Sequence, residues 1–508
     1  MIQVGPPHLL TIKPWNTGIW SFALKKSPAF LAAALFAFTV GSSAQMPASP
    51  INPETKALGS VNARTPPAWL DSSVIYEIFP RSFSPEGDLN GITKKLDELQ
   101  KLGVNILWLM PLNPVGQVEK KGSEGSPYAV RDYYAINPGY GNKEDLQRLI
   151  REAHRRQMKV LIDIVANHTS FDSVMMSHPN FYKHDAQGKV LSPYNWTDVA
   201  ALKYANPELR RYMTDMLLYW VKDFNLDGFR CDAAGEIPTD FWENARKELD
   251  HLHPGLLMLA EASKPELLHN AFDLDYSWPL MGTLNDIIEH GAPASSVRAT
   301  LEREQKLFPK HAMHMRMFDD HDEQRALARY GSDGSLAAAA LIFTLDGVPM
   351  IYNGMEVGDP TESGAPALFE SLKIWWQAGQ MRPEFPRFYN FMIPFREHQP
   401  ALLHGETLWV HNSDETHVVT YLRRTADDEF LIAVNLSNTS FRGTVEAASS
   451  VWEEVKVPLP KRRANTNASV EDSLETPQTA IPALSLGAFD FRIFHQNLKT
   501  VPKGTPGS

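Results

Sequence analysis

The sequence predicts an α/β protein: a (β/α)8 TIM barrel with a small inserted loop domain after its third strand and an all-β sandwich domain towards its C-terminus. Three observations carry this. Between residues 74 and 353, short apolar runs alternate with longer amphipathic stretches, the pattern of βα units on a parallel sheet. Eight such repeats within roughly 280 residues suit a closed barrel better than an open sheet. Beyond residue 398 the pattern changes to apolar–polar alternation between turn signals, as in "LWVHNSDETHVVTYLRR".

The elements follow in chain order. Lys25-Lys26, the apolar run Ala29 to Val40 and the small residues Gly41-Ser42-Ser43-Ala44 have the order of a secretory signal peptide, assigned to residues 1–44. At 12 residues the apolar run is short of the roughly 20 that a membrane span needs, so no span is expected after cleavage and the protein is expected to be secreted or periplasmic. The stretch before Lys25 is longer than such a leader requires, and a true start downstream of Met1 is expected. Residues 45–68 read as a linker, and the catalytic barrel is placed at 69–397.

Barrel strands are expected at 74–79, 106–110, 159–165, 228–231, 256–260, 313–318 and 348–352, with a weaker eighth near Phe272 to Tyr276. Amphipathic stretches at 92–103, 142–157 and 206–224 supply helices between them. One connection breaks the rhythm: about 40 residues, Asn167 to Asn206, rich in His, Asp, Asn and aromatics, separate the third strand from its helix. This gives an inserted domain at about 167–205. The sandwich is assigned to 398–497, with a polar loop over 461–480, and 498–508 to a disordered tail.

A formal charge of -11 and a pI near 5.9 argue against a large phosphate-binding surface, so nucleic acid is set aside as a partner. The single cysteine, Cys231, has no internal disulfide partner and reads as a small buried hydrophobe. Oligomeric state is left open.

"LDGFRCDAAGEIP", residues 226–238, places Arg230 and Asp232 in a strand that enters the interior. Alternation puts these two on one face, towards the barrel, and Phe229 and Cys231 on the other, towards the helices. A buried charge is costly unless paired or used, and barrel enzymes build their sites at the C-terminal ends of strands. Other strands end the same way: "LIDIVANH" carries Asp163 and ends in Asn167-His168, "LMLAEAS" reaches Glu261, and "MFDDHDEQR" reaches Asp320-His321-Asp322. For any one of these acids a helix cap or an ion pair is the plainer explanation; joint occurrence on the third, fourth, fifth and seventh strands favours a site. Several carboxylates with two histidines also resemble a hard-cation site, but Arg230 opposes a cation at that centre. Two carboxylates, one ionised and one protonated, are what glycoside hydrolysis needs.

These residues resemble the alpha-amylase family, glycoside hydrolase family 13. "DIVANH" (163–168), "GFRCD" (228–232), "AEAS" (260–263) and "FDDHD" (318–322) are similar to its motifs on strands three, four, five and seven, and "GVNILWLMP", "SPYAVRDYYAINPGYG" and "GVPMIYNGME" to its flanking signatures. The resemblance runs from about Trp69 through the C-terminal β-domain. It implies Asp232 as nucleophile, Glu261 as general acid/base and Asp322 as stabiliser of an oxocarbenium-like sugar. It also implies that His168 and His321 hydrogen-bond the sugar at the cleavage point, and that Tyr128 stacks on it. Arg230 is expected to orient Asp232 and lower its pKa, Glu261 to be kept protonated by its apolar surroundings, and the two carboxyl groups to lie about 5 Å apart as in retaining enzymes. Asp163 is expected to be structural.

Two departures stand out. Where many amylases of the family have a Lys-His pair after the nucleophile, this chain has Gly235-Glu236, so binding on the leaving-group side must differ. The residue before His321 is Asp320 rather than the usual Asn, which adds a carboxylate beside Asp322 and is expected to raise one of the two pKa values. Calcium is an open expectation: Asn167 matches a family ligand and the insertion offers Asp172, Asp185 and Asp198. No organic cofactor is expected. The reaction expected is retaining hydrolysis of α-1,4-glucosidic bonds in starch-like glucans or maltooligosaccharides. A transglycosylase or sugar isomerase of the same fold, and a non-catalytic carbohydrate-binding protein, stand as alternatives.

Overall fold

The computed structural model describes residues 58–365, 367–447, 452–459 and 483–499. The expected signal peptide, the linker up to residue 57, the loop over 461–480 and all but the first two residues of the tail lie outside the described residues.

Eight parallel strands close into a barrel: β1 (Ile75–Ile78), β2 (Ile106–Leu109), β3 (Lys159–Val165), β4 (Gly228–Asp232), β5 (Leu257–Ala260), β6 (Leu274–Tyr276), β7 (Met313–Arg316) and β8 (Val348–Tyr352). Closure is made where Ile75 of β1 is paired with Ile106 of β2 on one side and Met350 of β8 on the other. The weakly signalled strand is real but short, because β6 pairs through only Leu274 and Asp275 with β5 and three residues with β7. Gly228 opens β4 because a Cβ there would sit 2.1 Å from the Leu257 carbonyl oxygen; only glycine lets the two strands start this close.

The helices match the amphipathic stretches with sharper ends. Lys143–Arg155 starts at a capping box in which Asn142 accepts from the Asp145 N–H at 3.0 Å and Asp145 accepts from the Asn142 N–H at 3.1 Å. The stretch expected as one helix over 92–103 is two, Leu89–Lys94 and Leu96–Leu102, because Asp88 caps an earlier start and Lys95 leaves helical geometry between them. The last residues of the expected linker are pinned to the base of the barrel: Ala63 N–H donates to Lys310 O at 2.8 Å, and Arg64 pairs with Asp250 and Asp273.

Between β3 and its helix Pro207–Phe224, residues His168–Ser170 and Val199–Ala201 form a small antiparallel pair that roots the insertion above the barrel. Further along, β9 (Glu406–Trp409), β10 (Val418–Arg424), β11 (Asp428–Asn435), β12 (Phe441–Thr444), β13 (Glu453–Glu454), β14 (Ala483–Leu486) and β15 (Phe491–Asn497) form an antiparallel sheet in the order β9-β10-β11-β15-β13 and a second pair, β12-β14. One face of the larger sheet, with Leu422, Leu431 and Phe494, packs with Phe441, Trp452 and Leu486. The other, with Tyr421, Phe430, Ile432 and Ile493, joins the barrel core. Arg396, on the helix Glu384–Glu397, donates to the carbonyls of Phe343, Leu345 and Gly347, tying that helix to the end of the helix before β8.

Candidate active site

Arg230 stands at the centre of the upper barrel with a fully buried side chain. Its Nη1 donates to both Asp163 oxygens, at 2.9 and 3.0 Å, and to Asp232 Oδ1 at 3.2 Å. Its Nη2 lies 3.0 Å from Glu261 Oε1, and its Nε donates to the Tyr276 hydroxyl at 3.1 Å. The rings of Trp108, Tyr276 and Tyr128 surround the guanidinium at 5.2, 5.5 and 5.7 Å. A flat, permanently charged fork suits this duty, and a lysine ammonium could not serve three carboxylates at fixed angles.

Asp232 and Glu261 are therefore held by adjacent nitrogens of one cation. Strand β4 ends at Asp232, and the chain turns through Ala233 in the left-handed region at φ 44°, which aims the Ala233 N–H at Glu261 Oε2 at 2.6 Å. Asp232 Oδ2 is buried and has no hydrogen-bond partner among the described residues. Openness rises across the three predicted acids: the side chains of Asp232, Glu261 and Asp322 are 12%, 18% and 41% exposed.

The expectation that Arg230 leaves Asp232 with a low pKa is corrected. Burial pushes Asp232 well above the carboxylate range, the neighbouring Glu261 adds to the rise, and Arg230 is only a counterweight. Burial also raises Glu261, again against the pull of Arg230. Two carboxyl groups on one guanidinium titrate as a pair, and burial favours the protonated form in both.

The two predicted histidines differ in charge. His321 sits between Glu77, bonded at Nδ1, and Tyr128, whose hydroxyl is 2.7 Å from Nε2; Asp322 Oδ2 is 3.3 Å from the same nitrogen. Burial works against its charge, but Asp322 and Glu77 hold its pKa up at about 10, so it is an imidazolium at neutral pH. His168 is neutral, because burial pushes its pKa down to about 4. Its Nδ1 is buried and unpartnered among the described residues, and the Trp196 ring meets it edge-on at 5.5 Å. Tyr128 lies parallel to His321 at 5.3 Å, which covers one of its faces, and donates to Asp163 Oδ2 at 3.0 Å. The structure thus brings Asp232, Glu261, Asp322, Arg230, His321 and Tyr128 together, with His168 on the adjoining insertion. Asp163 is the buried strand-end acid that anchors Arg230.

Sequence reasoning missed Glu77, Trp108 and Tyr276. Glu77 was visible as the only charge in the apolar run "VIYEIF", the same signal that drew attention to Arg230. Asp320 behaves as expected: burial first, and then Asp322, raise its pKa well above the carboxylate range. Its Oδ1 accepts from the N–H groups of Asp322 and Glu323, both at 3.1 Å, which fixes the turn that presents Asp322.

The aspartates named for calcium have protein partners. Asp198 is taken by the Lys121 ammonium at 2.7 Å, Asp172 accepts the Gln117 N–H at 3.0 Å with Arg131 at 3.7 Å, and Asp185 closes its own turn on the N–H groups of Gln187 and Lys189. Among the described residues no group of three or more His, Cys, Asp or Glu side chains comes together; calcium also takes amide and backbone carbonyls and water. Nor is any helix among the described residues long and apolar enough to cross a membrane.

A family model described as "Alpha amylase, catalytic domain" matches residues 67–199 and 193–384. The chain is 29% identical over 409 residues to alpha-amylase MalA of Haloarcula japonica, a match covering 76% of this chain and 59% of that protein's length. It is 28% identical over 415 residues to an intracellular maltogenic amylase of Bacillus subtilis, covering 72% of this chain and 68% of the relative. Among solved structures, the maltogenic alpha-amylase AmyB of Thermotoga neapolitana superposes with a TM-score of 0.75 at 28% identity, covering 84% of this chain and 99% of the other.

Proposed function

This chain belongs to the alpha-amylase family, and from that premise we propose that it is a retaining glycoside hydrolase acting on α-1,4-glucosidic bonds of maltooligosaccharides and related α-glucans. The observation that carries the proposal is the pair of carboxyl groups on one buried guanidinium, with Asp232 Oδ2 left free at its centre. In the productive protonation state the pair's proton sits on Glu261. Asp232 Oδ2 then attacks the anomeric carbon while Glu261 passes its proton to the departing glycosidic oxygen, giving a glycosyl ester and a shortened leaving sugar. Glu261, now ionised, removes a proton from water; the hydroxide adds to the anomeric carbon and the ester bond to Asp232 breaks, so anomeric configuration is retained.

The surrounding residues divide the remaining work. Asp322 supplies negative charge beside the developing oxocarbenium ion, His321 as a cation and His168 as a neutral imidazole meet sugar hydroxyls, and Tyr128 meets the ring. No step passes through a metal ion. The substrate class is supported by the names of the relatives, which are amylases, maltogenic amylases and cyclomaltodextrinases. The complete set of three acids speaks against a binding protein without catalysis.

The test is a product profile on maltoheptaose, pullulan and maltotriose, with the anomer of the first product followed by NMR. New reducing ends in the α configuration are expected; β products, or no hydrolysis, would overturn the mechanism, and early products longer than the substrate would reassign it to transfer. Export is part of this reading and rests on the signal-like order of Lys25-Lys26, Ala29 to Val40 and Gly41 to Ala44. Cell fractionation with N-terminal sequencing is expected to find a protein starting near Gln45 outside the cytoplasm; a cytoplasmic protein with an intact leader would refute export.

A further inference from the structure

We propose that the end of the site furthest from Glu261 is blind, so that the enzyme takes the non-reducing end of a short α-glucan and does not bind across the middle of a polymer. The inference rests on the mechanism above, which fixes the direction of the chain. Glu261 protonates the leaving oxygen, so the leaving group lies over β4 and β5, and the bound sugar's non-reducing end points across the barrel to the half formed by β7, β8, β1 and β2, which are consecutive neighbours.

Over that half the described residues of the loops are tied to one another in series. The loop after β8 is joined to the loop after β7 by Gly364 N–H to His321 O at 3.1 Å and by the Ser363 hydroxyl to Glu323 O at 2.6 Å. Arg81, just after β1, is buried and donates from one nitrogen, Nη1, to Gly125 O at 3.2 Å and Leu368 O at 3.3 Å, clamping the β2 loop to the β8 loop. The same two loops meet again where the Glu124 N–H donates to Phe369 O at 3.0 Å and Glu370 accepts from both the N–H and the hydroxyl of Ser123. Gly122, at φ 62°, brings the chain against Phe369, where a Cβ would sit 2.6 Å from the Phe369 Cβ. Lys121 then carries the tie to the insertion after β3 through Asp198 at 2.7 Å.

The opposite rim is different in kind. Lys264 reaches across to Gly235 O, and Tyr194, 65% exposed, meets Glu236 at the edge of the insertion. These side chains edge an entrance. A chain entering there with its non-reducing end first places its terminal units against Tyr128, His321 and Asp322 and stops at the wall that Ser123, Phe369 and Glu370 complete.

The test uses two p-nitrophenyl α-maltoheptaosides, one with free hydroxyls at the non-reducing end and one with those hydroxyls capped by an ethylidene group, followed by chromatography. The free substrate is expected to be cleaved at least about a hundredfold faster than the capped one. Equal rates would overturn the blind end while leaving the hydrolase reading intact, whereas no cleavage of either would overturn that reading itself. Glu370→Ala, which removes the carboxylate bonded to Ser123, is expected to narrow the gap by about tenfold. An unaltered gap in a folded variant would count against the wall.

Discussion

At the lower end of the barrel two buried acids, Asp227 and Asp273, each gather several donors, whereas at the upper end three acids share a single guanidinium. Asp227, just before β4, accepts from Lys159 at 2.9 Å, from the Val160 N–H at 2.9 Å and meets His154 at 2.6 Å. Asp273, just before β6, has Arg64 at 3.1 Å, Arg246 at 2.6 Å and the Met258 N–H at 2.8 Å. Above them one guanidinium, that of Arg230, faces Asp163, Asp232 and Glu261. Burial acts upward on all of these acids; the partners of Asp227 hold its pKa below the ordinary range, whereas Asp273 at the base and Asp232 and Glu261 at the top stay raised. Matched charge at the base secures the fold; excess carboxylate at the top favours protonation and leaves an oxygen free to react.

Substitutions at the two ends should therefore have crossed effects. Asp232→Asn is expected to lower kcat/KM by about 10,000-fold, as removal of a reacting group does, yet to raise unfolding free energy by about 1 kcal/mol because a like charge leaves a crowded site. Steady-state rates and urea unfolding of the same variant check both halves. Glu261→Gln is expected to cost about 100- to 10,000-fold on maltotriose, and much less on p-nitrophenyl maltoside, whose leaving group needs no protonation. Equal losses on both would deny Glu261 its role as proton donor.

Asp227→Asn should do the reverse, lowering unfolding free energy by about 2 kcal/mol through the loss of charged hydrogen bonds with kcat unchanged. The pH dependence follows from the sign of the shift. A depressed carboxylate contributes stability above its unfolded pKa and loses it as pH falls through its folded pKa, so wild type and variant should converge in acid. Denaturation curves at neutral and acidic pH measure this; a constant difference would mean that the charge is not responsible.

How far this contrast could be read beforehand depends on the distance over which each feature is made. Strands, their order and the acids at their ends are local patterns, and "GFRCD" shows its charged and apolar faces by alternation alone. What stayed hidden joins residues far apart in the chain: Ser123 and Glu370 are 247 positions apart, and Glu77 and His321 are 244 apart. No periodicity encodes such pairs. The misjudged pKa of Asp232 has a related origin: burial raises it first and Glu261 adds to the rise, both made by the closed barrel, while only Arg230 lies two residues away in the chain.

Glu77 offers a smaller test at the upper end. It is one of two carboxylates that keep His321 charged against burial. In Glu77→Gln the imidazolium loses that support, its pKa falls from about 10, and the alkaline limb of activity should move to lower pH. A pH–rate profile of kcat/KM detects it; an unmoved alkaline limb would show that His321 does not govern that side.

The smallest effect is expected on the entrance side, where the chain lacks a basic pair after the nucleophile. Lys264, three residues beyond Glu261, lies against Gly235: a Cβ there would be 3.2 Å from the lysine Cε. Its ammonium donates to the Gly235 carbonyl, and among the described residues it makes no ion pair. Two N–H groups of a half-buried cation thus remain for sugar hydroxyls on the side where Glu261 releases its product. Lys264→Met should raise KM for maltotetraose about fivefold, the equivalent of one hydrogen bond of about 1 kcal/mol. Kinetics on p-nitrophenyl maltoside, which places no second sugar there, should be unchanged. If both substrates weaken alike, Lys264 only braces the turn at Gly235, and the leaving sugar is held by the Glu236 and Tyr194 rim instead.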